Sequence, residues 1–112
     1  DLPDVQAPEV PPQAAFRFEA RLRTRWSDED LHGVLNNAVY PTLLEEARLD
    51  YFRRLGAMEG RRFPFVLAQL ALRYVAPGIG GEEVLVGVRT TRLGRTSFSQ
   101  AYRVRRARDG AP

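Results

Sequence analysis

No cysteine occurs in the 112 residues, which excludes a disulfide framework, a thiol nucleophile and a thiolate metal site. Lysine is absent too: all 17 basic residues are arginines. Schiff-base and lysine general-base chemistry go with it, because a guanidinium stays protonated at any working pH. Histidine appears once, at position 32. No apolar run approaches the roughly 20 residues that span a bilayer, and the first residues lack the basic-then-apolar pattern of a secretory signal. A cytoplasmic location without membrane attachment is therefore expected. Neither a glycine-rich phosphate loop nor a cluster of acids at metal-ligand spacing is present, so phosphoryl transfer fits poorly and no metal is expected.

What remains is the composition of a soluble globular domain, with 44% hydrophobic and 28% charged residues and length enough for one modest core. Residues 1–15 contain Pro3, Pro8, Pro11 and Pro12 without periodicity and read as an extended or disordered arm. Residues 16–112 read as the folded domain. The chain does not open on Met, so the first residue given is not expected to be the first one made. The arm holds three acids and no base, so the net charge of +3 understates the positive balance of the domain. That favours an anionic partner, a phosphorylated ligand or a nucleic acid, without choosing between them.

Residues 16–26 alternate: Phe16, Phe18, Ala20, Leu22, Thr24 and Trp26 share one face, and Arg17, Glu19, Arg21, Arg23 and Arg25 the other. This predicts a half-buried antiparallel strand. From Ala38 to Leu55 the period lengthens to that of a helix, with Tyr40, Leu43, Leu44, Ala47, Tyr51 and Leu55 on one stripe and Gly56 as its stop. Pro41 requires either a start near Tyr40–Pro41 or an irregular first turn. Phe65–Val75 is almost wholly apolar and predicts a strand buried on both faces. Glu83–Leu93 and Thr96–Arg106 follow as two more strands, joined at Gly94-Arg95. Asp109-Gly110 is a hairpin signal with only two residues after it, which predicts a final strand missing from this sequence. The pattern is α+β: one amphipathic helix on a four- or five-stranded antiparallel sheet.

The residues of greatest chemical interest run from Asp28 to Tyr40, between the first strand and the helix. Gly33 permits positive φ or close approach to a ligand. Asn36 and Asn37 are preferred caps, able to bond early helix amides. The amides left free at a helix start carry partial positive charge and suit an oxyanion, at roughly 2.7–4 kcal/mol per donor. Asp30 lies a few residues upstream, ionised and available as a nucleophile or a weak general base for water. A carboxylate with an amide cradle suits acyl transfer from an activated ester. On residue type alone Asp30 reads rather as a cap or brace of the loop. Asp28 reads as structural, and His32 as a hydrogen-bonded loop side chain. Glu45 and Glu46 read as serving the helix dipole and i,i+4 pairs.

The run Arg25-Trp26-Ser27-Asp28-Glu29-Asp30-Leu31-His32-Gly33-Val34-Leu35-Asn36-Asn37-Ala38-Val39-Tyr40, continued through Glu45-Glu46-Ala47-Arg48, resembles the signature of the 4-hydroxybenzoyl-CoA thioesterase-like family of hotdog-fold acyl-CoA thioesterases. That signature is approximately R-[WYF]-x-D-x-D-x-x-G-H-V-N-N-x-x-Y, followed by a helix with E-x-A-R. Arg92-Leu93-Gly94-Arg95-Thr96-Ser97 is similar to a hairpin of the family, and Tyr74-Val75-Ala76-Pro77 to a strand end. The resemblance covers about residues 16–108.

The resemblance implies a hotdog fold, a long antiparallel sheet wrapped around one central helix. It implies hydrolysis of an acyl-CoA thioester to free acid and CoA without a cofactor. Asp30 would be nucleophile or general base, and the Asn37 backbone amide the donor to the thioester carbonyl. It further implies a homodimer or dimer-of-dimers with sites between subunits. Gly33, Tyr40, Arg89, Arg92, Arg95, Thr96 and Ser97 are the candidates for substrate and CoA, the arginines for its phosphates. A solvated strand face accounts for those arginines about as well, and core packing for Tyr40.

Two positions depart from the signature. Val34 stands where many relatives have His, and Leu35 where they have Val. An acyl-ACP thioesterase pattern, D-x-N-x-H-V-N-N, would need Asn where His32 stands and His where Val34 stands; the aspartate mechanism needs neither. A non-catalytic acyl-CoA or acyl-carrier binding module on the same fold is the other reading. A nucleic-acid partner is not expected, because bases interleave with acids along the helix and no strand presents an aromatic platform.

Overall fold

The computed structural model describes residues 16–56, 58, 60, 63, 65, 67, 69–74 and 76–108. The Pro-rich arm and the Asp109-Gly110 turn lie outside the described residues. Strand β1 (Phe18–Arg23) leads through a short 3-10 turn, Trp26–Asp28, and the loop after it to helix α1 (Val39–Leu55); strands β2 (Glu83–Leu93) and β3 (Phe98–Arg106) follow. The sheet order is β1-β2-β3, antiparallel throughout, with Ala20 opposite Val86 and Val86 opposite Val104. A bulge between Thr90 and Arg92 absorbs one residue of β2.

The expected α+β architecture, one helix on an antiparallel sheet, is the one observed. The period-2 face of β1 and β2 meets the helical stripe: Ala20, Val84, Val86 and Val88 are buried against Leu43, Leu44 and Ala47. Pro41 sits at the third helical position, where its missing N–H would have found no partner in the helix anyway. Gly56 ends the helix in the left-handed region at φ 68°, its N–H reaching the Arg53 and Phe52 carbonyls.

Several expectations need correction. β1 stops at Arg23, and the turn at Trp26–Asp28 rotates Trp26 off the apolar face into solvent. Leu55 is exposed, whereas Arg48, one turn beyond Leu44, lies buried on the stripe. No acid stands in the first turn of α1. Among the described residues of 65–75 none is in a strand, and Leu67, Leu70 and Tyr74 are exposed. An apolar run becomes a strand only where an edge takes its amides, and the described residues of 65–75 pair with neither outer strand of the sheet, β1 or β3. The aromatic residues pack elsewhere: Phe65 meets Phe52 at 5.1 Å and Phe98 at 4.9 Å between ring centroids.

Candidate active site

The loop between β1 and α1 is held in place by the turn that precedes β2. Thr24 is buried, and its hydroxyl donates to the Ile79 carbonyl at 2.9 Å. Its amide donates to the Glu82 carbonyl at 2.9 Å, and the Gly81 amide returns to the Thr24 carbonyl at 3.0 Å. Further along, the Gly80 amide donates to Glu29 Oε2 at 2.9 Å, and the Leu35 amide to the Gly78 carbonyl at 2.8 Å. These bonds join segments far apart in the sequence, and make residues 78–82 the floor of the loop.

Within the loop, Asp28 braces its own entry. It is only 9% exposed, and its carboxylate accepts the Arg25 amide at 2.8 Å and Arg25 Nη2 at 2.9 Å. The Arg25 guanidinium and then the Arg25 amide hold this carboxyl below its ordinary value, outweighing burial. A depressed carboxylate stabilises the fold above its unfolded pKa, and that contribution fades as pH falls through the folded value. Asp28→Asn is therefore expected to cost about 1 kcal/mol at pH 7, and to flatten the acid limb of a Tm-against-pH curve below about pH 4.

Asp30 stands at the head of a tight turn. Its backbone carbonyl accepts the Gly33 amide at 3.1 Å, and its amide donates to the Val34 carbonyl at 2.9 Å. Gly33 at φ 76° closes that turn, a conformation open to glycine. The Asp30 side chain is 29% exposed. Its Oδ1 accepts the His32 amide at 2.8 Å, with His32 Nδ1 at 3.4 Å. Its Oδ2 has no partner among the described residues.

At the helix start the amides are nearly all engaged. Leu35 and Asn36 donate to the Gly78 and Asp28 carbonyls, and Val39 and Tyr40 to the Asn36 and Asn37 carbonyls. The Ala38 amide is taken by Asn36 Oδ1 at 2.9 Å. Of the amides from 35 to 40, only that of Asn37 is without a partner among the described residues. Neither asparagine is the N-cap, which is Ala38: Asn36 takes the amide of Ala38 with its side chain, while Asn37 leaves its N–H open where the dipole of α1 is positive.

Tyr74, which pattern reading marks only weakly as a strand end, donates its hydroxyl to the Asn37 carbonyl at 3.1 Å. It thereby fixes the orientation of that residue's backbone, and it meets Tyr40 edge-on at 5.4 Å. Tyr40 is half-buried against the core, and burial raises its phenol pKa. Glu29, Thr24 and Gly80 are likewise supports of the site; the one sequence signal for them is a Thr closing the apolar face of β1.

The remaining candidates lie elsewhere. Arg89 and Arg92 are on β2, and Arg95, Thr96 and Ser97 in the hairpin after it; Arg92 donates to Ser97 Oγ at 3.3 Å, and Gly94 to the Ser97 carbonyl at 2.7 Å. The loop adjoins the start of β2, because Arg23 pairs with Glu83. The hairpin is at the other end of that strand, roughly 33 Å away at about 3.3 Å per residue. One copy of the chain does not bring the two groups together. Among the described residues no group of three or more His, Cys, Asp or Glu side chains gathers as a metal site would.

Residues 32–112 match the family model of the Thioesterase superfamily. The chain is similar to a thioesterase from Thermus thermophilus solved with coenzyme A and zinc, with 36% identity, a TM-score of 0.76, and 86% of this chain and 75% of that one covered. It is similar to a candidate acyl-CoA thioesterase from Xanthomonas campestris, with 28% identity, a TM-score of 0.72, and 85% and 81% covered. It is 29% identical over 91 residues to the uncharacterized Bacillus subtilis (strain 168) protein YsmA, covering 80% of this chain and 62% of that protein. The chain thus spans less than two thirds of that relative's length.

Proposed function

From the premise that the chain belongs to the thioesterase superfamily, a thioester hydrolase family on the hotdog fold, we propose that it hydrolyses acyl-CoA thioesters to free acid and CoA. The observation that carries the reading is the unpartnered Asn37 amide at the start of α1, in the same loop as an aspartate with an open carboxylate oxygen. A thioester oxygen placed on that N–H has its carbonyl polarised and its tetrahedral intermediate stabilised. Asp30 then acts in one of two ways. As general base it takes a proton from water while the water oxygen bonds to the carbonyl carbon. As nucleophile its oxygen makes that bond, and water later cleaves the anhydride. In both, the C–S bond breaks with its electron pair on sulfur, and the departing thiolate of CoA is protonated.

The relative solved with coenzyme A supports CoA as the leaving group. Arg89, Arg92, Arg95, Thr96 and Ser97 are proposed to hold its phosphates and pantetheine arm. Because they stand far from Asp30 on their own chain, that role requires a second copy, as a homodimer or dimer-of-dimers with the site between chains. No helix among the described residues is long and apolar enough to cross a membrane; a cytoplasmic setting is part of the proposal.

The test exploits the backbone. Asn37→Pro deletes the N–H and Asn37→Ala keeps it. In a free-thiol release assay the Pro variant is expected to lose about 10²–10³ in kcat, and the Ala variant to stay within about threefold. Circular dichroism checks that both retain their helix. Equal rates in the two variants would refute the oxyanion role. Tight binding of acyl-CoA without any thiol release would establish a binding module instead.

A further inference from the structure

Arg48 is a buried cation most of whose hydrogen-bonding capacity finds no partner among the described residues. It is 7% exposed, which is unusual for an arginine with no carboxylate partner among the described residues. Its Nε donates to the Tyr102 hydroxyl at 2.7 Å, and its guanidinium carbon stands 5.5 Å from that ring's centroid. Neither Nη has a hydrogen-bond or ion-pair partner among the described residues. Arg48 also lines a cavity of about 150 Å³. Pro41 and Thr42, from the first turn of α1, line it together with Leu44; Leu67 and Leu70 contribute apolar wall, and the exposed Glu45 lines it as well.

The cavity lies along one line of the helix. Thr42, Glu45 and Arg48 are spaced by one turn each and share a face, and helical side chains lean toward the N-terminus. The Arg48 guanidinium therefore leans back toward the end of α1 that bears the open Asn37 amide. Pro41 and Thr42, four and five residues beyond Asn37, line the cavity, so its near end lies within about two helical turns of that amide. The volume matches one known to admit a benzene ring, room for a chain of about six carbons.

We propose that this cavity receives the acyl end of the substrate, and that Arg48 selects acyl groups that end in a carboxylate. This deepens the thioester reading above and rests on it. With Nε tied to Tyr102, the two Nη groups are left for a planar bidentate acceptor, the geometry a carboxylate supplies. A methyl-ended chain would leave the guanidinium desolvated without a counter-charge, so it is discriminated against. Glu45 carries the same sign as the proposed ligand and weakens the preference from solvent.

The experiment uses two non-cleavable CoA thioethers of equal six-carbon length, one ending in a carboxylate and one in a methyl group, titrated by calorimetry. Adipyl-CoA and hexanoyl-CoA are assayed in parallel by thiol release. The wild-type protein is expected to bind the carboxylated thioether about 30-fold more tightly and to prefer adipyl-CoA in kcat/KM. Arg48→Met should bring the ratio near one, by weakening the carboxylated compound and lifting the penalty on the methyl-ended one. Glu45→Gln should raise the ratio about threefold.

A wild-type ratio near one overturns the proposal, as does a ratio that survives Arg48→Met. If Arg48→Met does not fold, Arg48→Lys decides, since it keeps the charge and loses the fork: an unchanged ratio there overturns the proposal, and a reduced one supports it. The two readings fail separately. The expected thioether ratio without thiol release from any thioester sinks hydrolysis and upholds the Arg48 pocket. Hydrolysis of hexanoyl-CoA and adipyl-CoA at equal kcat/KM, with equal thioether affinities, upholds hydrolysis and sinks the pocket.

Discussion

Asp30→Asn is expected to lower kcat for thioester hydrolysis by about 10³-fold, the scale on which removal of a general base or nucleophile acts. The substitution is nearly isosteric, and the turn survives it. The amide oxygen of Asn can still accept the His32 N–H now bound at 2.8 Å, and the bonds to Val34 and Gly33 run through the backbone. Asp30 makes no other side-chain hydrogen bond among the described residues, so stability should move by less than about 0.5 kcal/mol. What disappears is the anionic oxygen and its ability to take a proton or attack carbon. Thiol release under steady-state conditions measures the loss, and thermal denaturation shows that the fold is intact. Turnover at the wild-type rate in this variant would remove Asp30 from the chemistry.

Gly80→Ala is expected to be the most damaging single methyl added to the described part of the chain. A Cβ at Gly80 would stand inside hard contact of the Arg25 carbonyl oxygen and within 2.8 Å of Trp26 Cα, both backbone atoms that no side-chain rotation can move. The backbone must shift, and with it the Gly80 amide that holds Glu29 and the neighbouring bonds to Thr24. Overpacking of this kind costs about 3 kcal/mol, a fall in Tm of about 15 °C for a domain of this size. Gly81→Ala is the control. Its φ of 80° disfavours a side chain, but nothing lies within 4 Å of the added atom, so only the backbone strain of about 1 kcal/mol remains. Equal Tm values for the two variants would mean that the turn is not packed on the loop. Because the same contact supports the loop before Asn37, Gly80→Ala should also depress kcat in the fraction that remains folded.

The difference between what was legible in the sequence and what was not follows the range of the interactions. Alternation in residues 16–26 and Glu83–Leu93, and the 3.6 period of the helix with its Gly56 stop, are local signals; β2 and the helix form where they predict, and β1 forms only over Phe18–Arg23 of its run. Trp26 leaves the apolar face because Asp28 captures the Arg25 amide and turns the chain, a bond between side chain and backbone that alternation does not register. Phe65–Val75 carries the composition of a buried strand, yet composition does not supply a neighbouring ladder. Arg48 was hidden for a related reason: its position on the stripe is readable, but a charged residue there is read as outward-facing until Tyr102, 54 positions later, is seen to receive it. At the site, a candidate donor at Asn37 followed from the motif. That the amides around it are already spent, and that Tyr74 steers its carbonyl, depends on Gly78 and Tyr74, which no pattern in the loop announces.

The floor beneath the loop has a consequence for how such a chain can change over time. Thr24, Glu29 and Leu35 are matched to backbone groups of residues 78–82. Gly78 and Gly80 have no room for a Cβ and Gly81 holds a positive φ, but a point substitution at Ile79 or Glu82 leaves the match standing, since the partners there are main-chain atoms. A change of length does not. Deleting one residue between 78 and 81 would slide the Gly78 carbonyl out from under Leu35 and carry the open Asn37 amide with it. The spacing of an otherwise plain turn is thus inherited together with the motif, as a single unit of two distant segments.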